Sequence, residues 1–235
     1  MDADIELYKK STGDYNLLQH LRPDYTGAES AFLDLCNKYL QDLTDITVAD
    51  FCCGTGVNTN LLSKKFSIKR ALLIDINKEF LDIAQKSDIH ARVEIISNDI
   101  LNVDFPSKSD IVISMFAYHH VPDDKKDLYI SQIKKALRSK GLVFLGEIYS
   151  PNPKITIDYY KYLYDQIPNK SPELEKFLNQ TATSDNFEYK VSRKFAHDQF
   201  ISAGFKLIEF KKIWPLDSHF DNNDVGTFVE VWQNQ

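Results

Sequence analysis

Gly54-Thr55-Gly56 ends the run Val48-Ala49-Asp50-Phe51-Cys52-Cys53 and stands directly before a helix-compatible stretch. Glycines in a strand-to-helix turn let the chain reverse sharply and let a ligand approach the backbone beside the positive end of a helix. About 20 residues on, Asp75 closes a second apolar run, a place from which a carboxylate can accept hydrogen bonds from both hydroxyls of a ribose. A third run is followed by Asn98-Asp99-Ile100, a triplet able to bracket an adenine ring, with Asp99 accepting from its exocyclic amine. Aspartates also cap helices and turns, so either carboxylate alone serves both readings. Two of them at successive strand ends after a glycine turn favour a shared ligand.

A second set of chemically capable residues follows. His119 and His120 come just after the run Ile111–Phe116, and Glu147 and Tyr149 close the run after that. An imidazole or a carboxylate there can act as general base or hydrogen-bond partner, because ligands of parallel sheets bind beyond the carboxyl ends of the strands. The competing readings are a histidine that braces its loop and a buried glutamate paired with a backbone amide or a lysine. A metal site from His119, His120, Asp123 and Asp124 is not expected, since adjacent side chains diverge and Asp123-Asp124 suits a helix N-terminus.

The elements that must position these residues alternate. Short β-rich runs at Ile46–Phe51, Ala71–Ile76, Val93–Ser97, Ile111–Phe116 and Leu142–Ile148 are separated by helix-compatible stretches at Val57–Phe66, Lys78–Lys86 and Asp123–Leu137. Apolar runs without strict alternation predict parallel strands covered on both faces. Ahead of them, apolar residues from Ala28 to Leu43 repeat at helical spacing, after a polar, Tyr-containing lead, Lys9 to Tyr25, read as helical turns or an ordered arm. Pro151, Pro153, Pro168 and Pro172 break the rhythm and mark an insertion to about Arg193. A helix over Phe195–Ala203 should stop at Gly204, and the runs Phe205–Trp214 and Val225–Trp232 read as an antiparallel hairpin.

The expectation is an α/β, Rossmann-like, doubly wound fold: a mostly parallel seven-stranded sheet with an antiparallel C-terminal hairpin and helices on both faces. It forms a single domain, with a helical arm at 1–45, a ligand-binding core at 46–150, an insertion at 151–194 and a C-terminal helix and hairpin at 195–235. The insertion's Tyr159, Tyr160, Tyr162, Tyr164 and Phe177 suit a lid over an acceptor, a packed helix or a homodimer contact equally.

Composition narrows the function classes. The 235 residues are 43% hydrophobic and 26% charged, with a formal net charge of −6. Scattered Lys and Arg predict no nucleic-acid partner. Neither a signal peptide nor a stretch of about 20 apolar residues is visible, so no membrane association is expected. Three cysteines, two of them adjacent, make no disulfide framework or zinc spacing, in keeping with a cytoplasmic protein. Asn179-Gln180-Thr181 matches a glycosylation acceptor that would matter only after secretion.

The segments VADFCCGTG, LLIDIN, SNDI and DIVISMFAYHHVPDD resemble, in order, the motifs of class I S-adenosylmethionine-dependent methyltransferases, over about Leu43 to Tyr149. The resemblance implies S-adenosyl-L-methionine as cofactor and a small-molecule substrate as methyl acceptor. It places Asp50 on the methionine amino group, Asp75 and Ile76 at the ribose, Asp99 and Ile100 at the adenine, and Cys52, Gly54 and Gly56 in the cofactor turn. Ser114, Met115, Phe116 and Tyr118 would surround the reactive methyl. One departure is Cys52, where the family often has glycine. The stretch Gln19 to Tyr25 is similar to the arm of carboxy-S-adenosylmethionine synthase, implying that Arg22 clamps the cofactor carboxylate and Tyr25 covers the site. Gln199, however, stands where that synthase uses an arginine. The alternatives are a non-catalytic S-adenosylmethionine-binding regulator and an NAD-dependent oxidoreductase; Thr59 spoils the dinucleotide fingerprint, and Asp50 would repel a pyrophosphate.

Overall fold

The computed structural model describes residues 19–183, 188–221 and 223–235. Lys9 to Leu18 of the polar lead lie outside the described residues. Strands β1 (Ile46–Phe51), β2 (Ile68–Asp75), β3 (Arg92–Ser97), β4 (Ser109–Met115) and β5 (Leu137–Tyr149) run parallel. With β6 (Phe205–Trp214) and β7 (Gly226–Asn234) they form one sheet in the order β3-β2-β1-β4-β5-β7-β6. The last strand slots antiparallel between β5 and β6, so the expected hairpin closes the sheet. Strand order reverses between β1 and β4, which opens a crevice at their carboxyl ends.

Both faces of the central strands are covered, which is why their sequences read as apolar runs. Val48, Leu73 and Ile113 pack beneath α1 (Pro23–Leu40), α2 (Val57–Ser63) and α3 (Lys78–Lys86); Ala49, Ile74 and Val112 face α4 (Lys126–Ala136) and α7 (Arg193–Ser202). Helix α1 begins five residues before the apolar pattern from Ala28, because Pro23 at its first turn has no amide to leave unpaired. It also stops at Leu40, leaving Leu43 on the surface. Strand β5 takes Leu137 from the expected helix and begins five residues before Leu142.

The insertion is more regular than its prolines imply. It forms α5 (Pro153–Gln166) and α6 (Pro172–Thr183), each with a proline in its first turn, where the ring is tolerated. Tyr159, Tyr160, Leu163, Leu174 and Phe177 are buried with Ile148 and Val225 in a third apolar cluster beyond the end of β5. These three aromatics therefore pack inside the chain and are not available as a homodimer surface. Helix α7 ends before Gly204, whose φ of +88° is the expected left-handed stop.

Glu230 on β7 ties the C-terminal elements together. Its buried carboxylate accepts from Arg193 Nε at 2.7 Å, Trp232 Nε1 at 3.0 Å and Tyr149 Oη at 3.1 Å, and lies 2.8 Å from His197 Nε2. Burial pushes this carboxyl up, but His197 and Arg193 outweigh it and hold it below the usual range. Replacing Glu230 with Gln strands the buried Arg193 charge and should cost about 3 kcal/mol of stability. Urea denaturation checks this; an unchanged midpoint would contradict it.

Candidate functional site

The carboxyl ends of β1 to β4 surround a cavity of about 380 Å³. The turn after β1 forms its floor. Cys52, Gly54 and Gly56 have φ of +52°, +53° and +75°. Cys52 thus holds a left-handed conformation that glycine adopts without strain, which accounts for glycine being usual at that place in the resembling family. A Cβ on Gly54 would meet nothing within 4 Å, so its conformation is called for by the turn and leaves space for a ligand over the backbone. Gly56 answers a different need: a Cβ there would lie 3.1 Å from that of Ala84, where α3 packs on the turn.

Three carboxylates line this cavity. Asp75 accepts from Gly54 N and Asn77 N, each at 2.8 Å, one on each oxygen. A carboxylate offers about four lone-pair sites, so both oxygens keep capacity for hydroxyl donors. Burial raises its pKa, and the two amides oppose the rise. Asp50 is 2% exposed and accepts from Thr59 Oγ1 at 2.6 Å. Burial pushes its carboxyl up to about 7, against the pull of the Thr59 hydroxyl and aided by the nearby Asp75. Asp99 accepts from Leu101 N at 2.9 Å and so caps the short turn Ile100–Asn102, yet it also faces the cavity beside Asn98 and Ile100. Capping and site lining are both realised in this one residue. Ile76, Ile100 and Leu101 supply an apolar slot alongside. Carboxylates with spare lone pairs, a turn open above Gly54 and this slot fit an adenosyl group.

The opposite wall is aromatic. Tyr25 stacks on Phe116 with centroids 5.2 Å apart, and Met115, His120 and Tyr189 join them. Phe116 has φ of +58°, uncommon for a residue with a bulky side chain, and its amide donates to Gly146 O at 2.7 Å. Gly146 lets the end of Met115 lie close: a Cβ would stand 2.4 Å from Met115 Cε, and that flexible end would have to shift. Strained backbone of this kind concentrates at ligand clamps.

Several residues singled out from the sequence are turned elsewhere. Ser114 is buried and its Oγ lies 2.8 Å from Tyr129 Oη, inside the core. The buried guanidinium of Arg22 forms a two-point pair with Asp24, at 3.2 and 2.8 Å, and donates to Gln19 Oε1 at 2.9 Å. It is not among the lining residues, and neither is Gln199, whose Oε1 accepts from Tyr118 Oη. Of the residues singled out by the likeness to the synthase, Tyr25 lines the cavity and Arg22 and Gln199 do not. His119 and Glu147 also lie behind the wall. The His119 ring bonds the Glu147 carboxylate, which accepts in addition from His119 N at 3.1 Å and Ile148 N at 2.7 Å. Burial pushes Glu147 up to about 7 and holds His119 well below its usual range. Lys126 braces the same loop, donating to Tyr118 O at 3.0 Å and Val121 O at 2.8 Å, and burial lowers it to about 8. Of the three predicted bases, His120 alone lines the cavity.

Three contributors were not predicted. Thr59 holds Asp50, Asn77 caps α3 while its amide holds Asp75, and Tyr189 reaches the wall through a backbone bond to His119 O at 2.7 Å. The first two stand at short, fixed offsets from the carboxylates they serve and were legible in principle. Tyr189 is brought in only by the tertiary fold. Replacing Thr59 with Val removes its hydroxyl donor to Asp50. The Asp50 pKa, read by carboxyl carbon NMR, should then rise above about 7; an unmoved value would refute the pairing.

Comparison with known proteins agrees with this geometry. Residues 48–141 match a methyltransferase domain. The chain is 31% identical over 105 residues to an uncharacterized methyltransferase of Bacillus mycoides, covering 44% of this chain and 48% of that one. It is 26% identical over 193 residues to a demethylmenaquinone methyltransferase of Lactococcus lactis, covering 74% and 71% respectively. The chain spans about half the length of the first of these relatives. Among solved structures, a Burkholderia thailandensis 1,6-didemethyltoxoflavin-N1-methyltransferase, bound to its acceptor and S-adenosylhomocysteine, superposes with a TM-score of 0.64. Identity there is 14%, over 98% of this chain and 87% of the other.

Proposed function

We propose that the protein, whose residues 48–141 match a methyltransferase domain and whose fold resembles that of S-adenosylmethionine-dependent methyltransferases, transfers the methyl group of S-adenosylmethionine to a small-molecule acceptor through an oxygen, nitrogen or carbon nucleophile. The observation that carries this reading is the convergence of Asp50, Gly54, Asp75 and Asp99 on one cavity. Asp75 would take the ribose hydroxyls on its spare lone pairs, Asp99 and Ile100 the adenine edge, and Asp50 the ammonium of the methionine part. S-adenosylmethionine supplies a methyl carbon already activated by its sulfonium, so the chain mainly aligns the acceptor and excludes water. Tyr25, Phe116 and Tyr189 form an apolar wall suited to that task, and His120 is placed to bond or deprotonate an acceptor. His119 and Glu147 act at one remove, by fixing the loop that carries His120. A ring such as the one implied by the Lactococcus lactis relative's name suits the aromatic wall and belongs in the first acceptor screen.

The nicotinamide reading fares worse, because the buried Asp50 carboxylate beside the turn would repel a pyrophosphate, and Thr59, bonded to Asp50, stands where the dinucleotide fingerprint has its third glycine. No helix among the described residues is long and apolar enough to cross a membrane. The three cysteines are free thiols, which supports placing the protein in the cytoplasm.

Titration calorimetry with S-adenosylhomocysteine tests the proposal. Asp75→Ala should weaken binding by on the order of 1–3 kcal/mol. Tight NAD binding without S-adenosylhomocysteine binding would remove the methyltransferase reading. Protonation of Asp50 competes with the ligand's ammonium, so affinity should fall as the pH drops below about 7. The fall should approach tenfold per pH unit for one linked proton, and Asp50→Asn should flatten it. Turnover in the acceptor screen separates an enzyme from a regulator that only binds the cofactor.

A further inference from the structure

The adjacent histidines do not diverge as their sequence neighbourhood implies. They lie in the tight turn Tyr118–His120, and their ring centroids are 4.2 Å apart. Glu188, on the segment returning from the insertion, meets them: one ligating atom from each of His119, His120 and Glu188 lies within 4.8 Å of the others. The separation of His119 Nε2 from Glu188 Oε2 is 3.6 Å. Two imidazoles and one carboxylate are a common donor set for zinc and for non-haem iron, with positions left open. Behind them, Glu147 bonds Nδ1 of His119, the outer-shell carboxylate that orients a metal-binding histidine and leaves Nε2 to ligate.

We propose that His119 Nε2, His120 and Glu188 form a binding site for one divalent transition-metal ion at the edge of the cavity. Lys190 is the competing cation, since its ammonium contacts the same Glu188 oxygen. An entering ion must displace it, and Tyr160, over whose ring Lys190 sits at 5.0 Å, remains to hold the released ammonium. Lys126, the other buried ammonium of this region, bonds loop carbonyls and not Glu188. Because His120 lines the cavity, the open positions would serve an acceptor oxygen, lowering its pKa; that role, unlike the site itself, rests on the methyl-transfer reading.

The test is titration of the metal-free full chain with Co²⁺ alone, followed by visible d–d absorption and by elemental analysis after desalting. One equivalent per chain is expected in the wild type, lost in both His120→Ala and Glu188→Gln. Glu147→Gln should weaken it about 10- to 100-fold with the bands retained. Lys190→Met, which removes the competitor, should bind Co²⁺ more tightly than the wild type. Circular dichroism checks that each variant is folded. The proposal is overturned if the wild type takes up no saturable equivalent, including the case in which Lys190→Met alone binds, because the native ammonium then keeps the place. S-adenosylhomocysteine binding, measured in parallel without metal, keeps failure of this site distinct from failure of the methyltransferase reading.

Discussion

The cavity owes its shape to a buried carboxylate held by backbone amides. Asp75 sits buried at the tip of β2 with an amide from the β1 turn on one oxygen and an amide from the start of α3 on the other. Burying a carboxylate is costly unless it is hydrogen-bonded, and two backbone donors meet the requirement while fixing the turn against the second strand. Asp50 repeats the device with Thr59, and Asp99 with the amide of Leu101. Among the described residues no Lys or Arg pairs with any of the three. The result is a pocket whose three fixed carboxylates keep acceptor capacity on one side of the cavity.

Much of the fold was legible because its physics is local or periodic. Apolar runs marked strands covered on both faces, and the Gly204 stop and the β6 run emerged as expected. The places that read less well are those where one residue type has two uses. Prolines 153 and 172 looked like breakers, yet in a first turn they start helices. Leu137 completes a helical pattern but lies in the strand that follows, where pairing with Ser109 of β4 decides.

The candidate site divides along the same line. In one half, carboxylates at successive strand ends and the turn residues Cys52 and Gly54 are set by the order of the chain and line one cavity, while Gly56 packs against α3. The other half was not legible in this way. His119 and Glu147 were candidates by position, but contacts from distant segments, with Glu188 on one side and the Glu147 carboxylate on the other, turn the ring behind the wall. Ser114 was lost to Tyr129 on α4, a pairing that no strand pattern reveals. Arg22 is the exception that could have been seen, because its partner Asp24 is only two positions away.

The central claim is that the tips of the first three strands act together as one adenosyl cradle. It is tested most directly by an amide NMR titration with S-adenosylhomocysteine. Concerted shifts of Gly54, Asn77 and Leu101, the amides that hold or neighbour Asp75 and Asp99, at one saturation curve are the predicted result. Saturable binding that leaves these amides unmoved, or moves them on separate curves, would contradict it.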